Sequence, residues 1–268
     1  MIEVLPWIGL GFTLLILNQF PVSHGFLFAI NIWMLSIPHT FSTLTRSDLR
    51  SSQKIVRTLA IFVFFIGSIF LLSQFINFAI IFTGYFLWQQ YHYSKQNYGI
   101  ARWGNTDQKT SFNDQLFYLI IPIITLLGLF SKGPQIFFNY LIQNPIPYSL
   151  QIKHALILNF ILTLAYIGLK PKSWKNATQH TVLFSVSYLF IDDFYKGWLC
   201  LNIFHNLQYL RFMQVFEKNI KFLILPLVLT ALVFVLETKT YMLLSMMLAL
   251  NFTHYTLDSM IWKRKPRI

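Results

Sequence analysis

The chain is short of charge and shorter still of acid: its 268 residues hold 21 Lys+Arg but only 9 Asp+Glu, and charged residues make up 11% of the sequence. A soluble globular domain typically carries about 25%, so that class is excluded. No Asp, Glu, Lys or Arg occurs at residues 4–45, nor again at 58–91. One membrane-spanning helix needs only about 20 apolar residues, so each of these runs is long enough for a helical hairpin. Cysteine is nearly absent as well. Cys200 stands alone, which excludes an internal disulfide and a thiolate-rich metal site. The start of the chain lacks the basic residues and small-residue cleavage pattern of a removable signal peptide. With no linker, low-complexity tract or charge-rich segment, a single integral membrane domain over residues 1–268 is expected.

What the chain has in abundance is apolar surface: 55% hydrophobic residues, 28 of them Phe, and a mean hydropathy of +0.54. Shorter charge-free runs follow at 115–131, 133–152, 154–169, 176–191, 197–210, 222–236 and 240–257. The basic residues collect between them, at 46–57, 95–109, 170–175, 211–221 and in the tail Lys263-Arg264-Lys265-Pro266-Arg267. That pattern is not a nucleic-acid footprint, because short loops rich in Lys and Arg stay on the cytoplasmic side of a membrane. Keeping all of them inside requires hairpins between successive basic loops. Polar turns near Pro21–His24, Ser73–Asn77, Asp192–Lys196 and Glu237–Lys239 supply them. Lys132 to Tyr148 contains the breakers Gly133-Pro134 and Asn144-Pro145-Ile146-Pro147, and is expected to be the one long outside loop, with a short interfacial helix. The predicted fold is all-α: a polytopic transmembrane helix bundle of about 8–10 spans, multi-pass in the cell (inner) membrane, with both termini cytoplasmic.

Four histidines stand out against this background. His39, His92, His205 and His254 each end an apolar stretch, six to ten residues ahead of a basic residue: Arg46, Arg102, Arg211 and Lys263. If the basic residues mark one membrane face, the four imidazoles share one depth. Ionisable groups inside a bilayer are expensive and for that reason usually functional. Residues three or four apart share a helix face. His92 is thereby paired with Gln96, His205 with Gln208 and Tyr209, and His254 with Asp258. Imidazole binds iron, copper and zinc, and a neighbouring amide or carboxylate commonly orients it. Four such histidines from four helices are expected to enclose one metal ion in the bundle core, with Gln96, Gln208 and Asp258 fixing their tautomers or supplying ligands for a second metal. A single histidine near a helix end is more often an interfacial residue than a ligand; four at matched depth, each with a polar partner, argue otherwise. His180 is held as a reserve ligand. His24 and His154 fall on the opposite face. Trp88, Tyr91, Tyr98 and Trp262 suit an aromatic interfacial belt.

Pro38-His39 at the end of an early apolar span, the isolated His92, and Phe204-His205-Asn206-Leu207-Gln208-Tyr209-Leu210 together resemble the membrane-bound beta-carotene dioxygenases of bacteria and archaea, the Brp/Blh type. The resemblance runs along most of the chain in order and spacing, through short motifs. It implies a multi-span protein that holds one non-haem iron on histidines and splits a carotenoid at its central double bond with dioxygen, giving retinal. Two departures fall at the site. The family has Pro-His-Gly with a nearby Asp where this chain has Pro38-His39-Thr40, and a His where this chain has Tyr209; His254 is the expected substitute for that ligand.

The residues lead to iron by their own route. Neutral imidazoles leave a ferrous ion electron-rich and open to dioxygen, while an apolar surround excludes water and admits a hydrophobic substrate. The expected function is an Fe(II)-dependent and dioxygen-dependent oxygenase, with about one iron per chain, acting on a hydrophobic small molecule among membrane lipids. Oxidative cleavage of a carotenoid is its most specific form, and Tyr209 and Asp258 are the polar groups expected to take part in the chemistry. Two other classes stay open. A two-iron desaturase or hydroxylase would need Gln96, Gln208, Asp258 and His180 as ligands. Alternatively, paired histidines would ligate haem in an electron carrier or line a pathway in a metal transporter.

Overall fold

A computed structural model describes residues 4–19, 27, 31–36, 39–40, 52–103, 111–137, 140–142, 148–217 and 240–261. Eight α-helices account for most of these: α1 (Val4–Gln19), α2 (Ser52–Phe75), α3 (Phe78–Trp103), α4 (Phe112–Phe130), α5 (Ile152–Leu169), α6 (Trp174–Ser185), α7 (Phe194–Glu217) and α8 (Thr240–Ile261). Two short π-helices, Asn31–Ser36 and Val186–Phe190, and a 3₁₀ turn, Pro171–Ser173, complete the helical part. Among the described residues, three helical stretches are long and apolar enough to cross a membrane: Val56–Phe75, Phe112–Phe130 and Ile152–Leu169. The turns expected near Pro21–His24 and Glu237–Lys239, the span at 222–236, His24 and the basic tail lie outside the described residues.

The helix boundaries follow local chemistry. Between α2 and α3 only Ile76 and Asn77 intervene, and the Asn77 side chain accepts a hydrogen bond from the Ala79 amide at 2.9 Å, satisfying one of the amides that every helix start leaves open. Asp193 does the same at the start of α7, where its Oδ1 accepts from the Lys196 amide at 3.2 Å. These are the two described turns expected from sequence. At the start of α4, Ser111 and Asp114 form a reciprocal capping box, with Ser111 Oγ accepting from the Asn113 amide and Asp114 Oδ2 from the Ser111 amide, both at 3.2 Å. One expectation is corrected. The segment after Gly133 holds a two-stranded antiparallel hairpin, Gln135–Phe137 (β1) against Tyr140–Ile142 (β2), where a short interfacial helix was expected. Gly133 turns the chain into it at φ 94°, a backbone angle that favours glycine.

The chain divides into two compact units: one holds the described residues up to Ile81 and from Asn202 to Ile261, the other Phe82–Leu201. In the first, α2 packs along α8, with Phe65 stacked on Phe252 at 5.3 Å between ring centroids. Trp7 of α1 meets Phe204 edge-on at 5.0 Å, and a Cβ on Gly9 would collide with the Leu207 side chain, so glycine sets how closely α1 and α7 approach. The outer face of α2 is apolar and open: Val56, Val63, Phe64, Phe70 and Phe75 are all exposed.

In the second unit α4, α5 and α6 pack on one another around a polar seam. Asn159 Nδ2 donates to Thr125 Oγ1 at 2.9 Å and to Ser185 Oγ at 3.3 Å, and the hydroxyls of Thr163 and Thr181 lie 2.6 Å apart. Side-chain hydrogen bonds of this kind tie apolar helices to one another. At one end of the seam the Asp114 carboxylate accepts from the Tyr166 hydroxyl at 2.9 Å and pairs with Lys170. Beyond the other end of α4, Lys132 Nζ donates to the Ile191 carbonyl at 3.0 Å, and burial pulls its pKa below the ordinary lysine value against the opposing effect of Asp192.

Candidate metal centre

Three of the four histidines singled out in the sequence converge in the first unit. His39 is 2% exposed, His205 3% and His254 1%. His39 Nε2 and His254 Nε2 face each other at 2.9 Å, and the His39 ring centroid lies 4.8 Å from that of His205 and 4.6 Å from that of His254. The side chains come from separate elements: His205 from α7, His254 from α8, and His39 from a helical residue pair, His39–Thr40, after the first π-helix. Their environment is aromatic. Tyr209, one turn after His205, tilts over the His39 ring at 4.0 Å between centroids and stands perpendicular to His254 at 6.5 Å.

The Nε2 pair is a chemical choice between two states. Either one nitrogen carries a hydrogen and donates it to the other, or both lone pairs point at a shared cation. At 2.9 Å the two nitrogens are at ordinary hydrogen-bond distance and also close enough for both lone pairs to serve one cation. The donor set, neutral imidazoles without thiolate, fits iron, copper, nickel or zinc. His92 lies on α3 within the second unit, buried at 3% exposure.

The polar residues expected beside the histidines are buried: Gln96 on α3, Gln208 on α7 and Asp258 on α8, the last at 0% exposure and one turn after His254. His180 is engaged differently. Its Nε2 meets the Tyr118 carbonyl at 3.0 Å and its Nδ1 the Asn97 amide nitrogen at 3.0 Å. With one ring nitrogen donating and the other accepting, it has no lone pair left for a metal. His154 is exposed on α5. Sequence reasoning overlooked the carboxamides around His205, namely Asn31, Asn202 and Asn206, all buried. The available signal was Asn within otherwise apolar helix.

No family model matches the chain, nor does any curated protein or solved structure. The class is thus defined by the chain's own features: a helical protein with spans apolar enough to cross a membrane and a buried histidine centre suited to a metal.

Proposed function

We propose that the chain is a multi-pass membrane oxygenase that holds one ferrous iron on His39, His92, His205 and His254 and acts with dioxygen on a lipid-soluble substrate, oxidative cleavage of a carotenoid being the most specific form. The observation that carries this reading is the 2.9 Å approach of His39 Nε2 to His254 Nε2, in a setting without competing thiolates. Iron bound there would supply dioxygen activation. The protein's part is to keep the imidazoles neutral, exclude water and orient the rings. Asp258, one turn from His254, suits the orienting role, and Tyr209 presents a phenol against His39. Apolar surroundings favour a substrate that arrives through the lipid.

The test is elemental analysis of purified protein together with co-expression in cells that make beta-carotene. The expected results are about one iron per chain, loss of it in single His→Ala variants, and bleaching of the cells with retinal formed. Iron-loaded protein in cells that keep their colour would remove carotenoid cleavage, two irons per chain would favour a desaturase or hydroxylase, and a Soret band would identify haem in their place.

A further inference from the structure

Asn31, Asn202 and Asn206 are 0%, 5% and 2% exposed, all in the first unit, and Asn202 and Asn206 bracket His205 on α7. The Nδ2 of Asn206 faces three oxygens: Ser36 Oγ at 2.7 Å, Asn202 Oδ1 at 2.8 Å and Asn31 Oδ1 at 3.1 Å. An amide nitrogen carries two hydrogens, so one of the three oxygens receives none from Asn206 and is in surplus wherever the Ser36 hydroxyl does not turn its own hydrogen to it. At the same spot Asn31 Nδ2 is buried and has no hydrogen-bond partner among the described residues. The cluster therefore combines a surplus acceptor with an idle donor, and buried polar groups are rarely left so.

The backbone is arranged to make this cluster. Residues five apart on an α-helix point about 140° away from one another, which would leave Asn31 and Ser36 on different faces. The π-helix Asn31–Ser36 repeats every five residues in its hydrogen bonding, and so brings both side chains to Asn206. Short π segments are common at functional sites.

We infer that the Asn31–Ser36–Asn202–Asn206 cluster binds the hydroxyl of a lipid alcohol. A hydroxyl oxygen accepts from Asn31 Nδ2–H, while its own O–H donates to the surplus carbonyl oxygen. A hydrocarbon answers neither need. A carboxylate has no hydrogen to donate and brings a charge into an apolar interior. This deepens the proposed function and rests on its lipid-soluble substrate: within that class the cluster selects a hydroxylated lipid, anchored within a helical turn of His205, so that beta-carotene, which has no hydroxyl, would be a poorer substrate than a hydroxylated carotenoid. Water has the same hydrogen-bond chemistry and is the competing occupant.

The test measures retention of labelled 1-hexadecanol, n-hexadecane and hexadecanoate by the full chain in nanodiscs, over protein-free nanodiscs, with and without chelator treatment. The wild type should retain the alcohol at least tenfold over the alkane and over the carboxylate. Metal removal should leave this preference in place. Asn31→Ala should bring the preference close to unity; if that variant does not fold, Ser36→Ala serves. Equal retention of alcohol and alkane by folded wild type would overturn the proposal and assign the cluster to water or to a purely structural clasp, as would a preference that survives folded Asn31→Ala. Protein that purifies without iron before any chelator treatment, yet prefers the alcohol, would sink the iron reading alone. Iron-loaded protein without the preference would sink the hydroxyl site alone.

Discussion

At the residue scale the histidine centre makes sharp demands. His39 and His254 each contribute the nitrogen of a 2.9 Å pair, so His254→Ala should lower iron content about tenfold or more without preventing membrane insertion. Asp258→Asn keeps the shape but changes the group one turn from His254, and should weaken metal affinity roughly 10–100-fold in chelator competition, the usual effect of losing a partner that orients a ligand. Tyr209→Phe retains the ring over His39; iron content should hold while turnover falls, and unchanged turnover would remove the phenol from the chemistry. His154→Ala, at an exposed position, should be silent in both measurements. The histidines were legible in sequence because an imidazole on an apolar stretch is conspicuous. The role of His180 was not, since its two nitrogens are answered by Asn97 and the Tyr118 carbonyl, 83 and 62 residues away in the chain. The amide cluster was likewise hidden: Asn31 and Asn206 are separated by 175 residues, and only the fold brings them together.

Among the elements, helix ends were read well where a capping side chain marks them, as at Asn77 and Asp193. Each strand of the β1–β2 hairpin is only three residues long, too short for alternation of apolar and polar residues to register. Helix packing offers a cleaner test. A Cβ on Gly128 of α4 would lie 2.8 Å from the Ala155 Cβ of α5 and 2.6 Å from Leu189 Cδ2. Leu189 has some freedom to turn away, but the Ala155 Cβ moves only with its helix. Gly128→Ala should therefore destabilise by roughly 1–3 kcal/mol, the usual cost of overpacking. Gly84 on α3 meets nothing within 4 Å. There the same change should be neutral or stabilising by up to about 1 kcal/mol, through helix propensity. Unfolding of both variants in detergent checks the contrast, and an equal effect would mean that α4 and α5 are not in the described contact.

For the molecule as a whole, the open apolar face of α2 suits a lipid surround, and the basic loops suit a cytoplasmic side. Cys200 is buried, so the native chain is a quiet background for labelling. A cysteine at exposed Ile136 on β1 should react with an impermeant reagent from outside, whereas cysteines at Arg50 and Asn105 should not; reaction at Arg50 and Asn105 on opposite sides would end the idea of one histidine depth. The pairing of Asp114 with Lys170 also has a consequence for biosynthesis. The two residues are 56 apart in sequence, and a ribosome adding about 5–20 residues per second separates them by on the order of 3–11 s. Through that interval the start of α4 carries an unneutralised carboxylate, so α4 and α5 should enter the bilayer as one hairpin. Lys170→Met should accordingly reduce the yield recovered from membranes, and adding Asp114→Asn should restore it, since the translocation machinery would no longer be holding a charge whose partner never arrives.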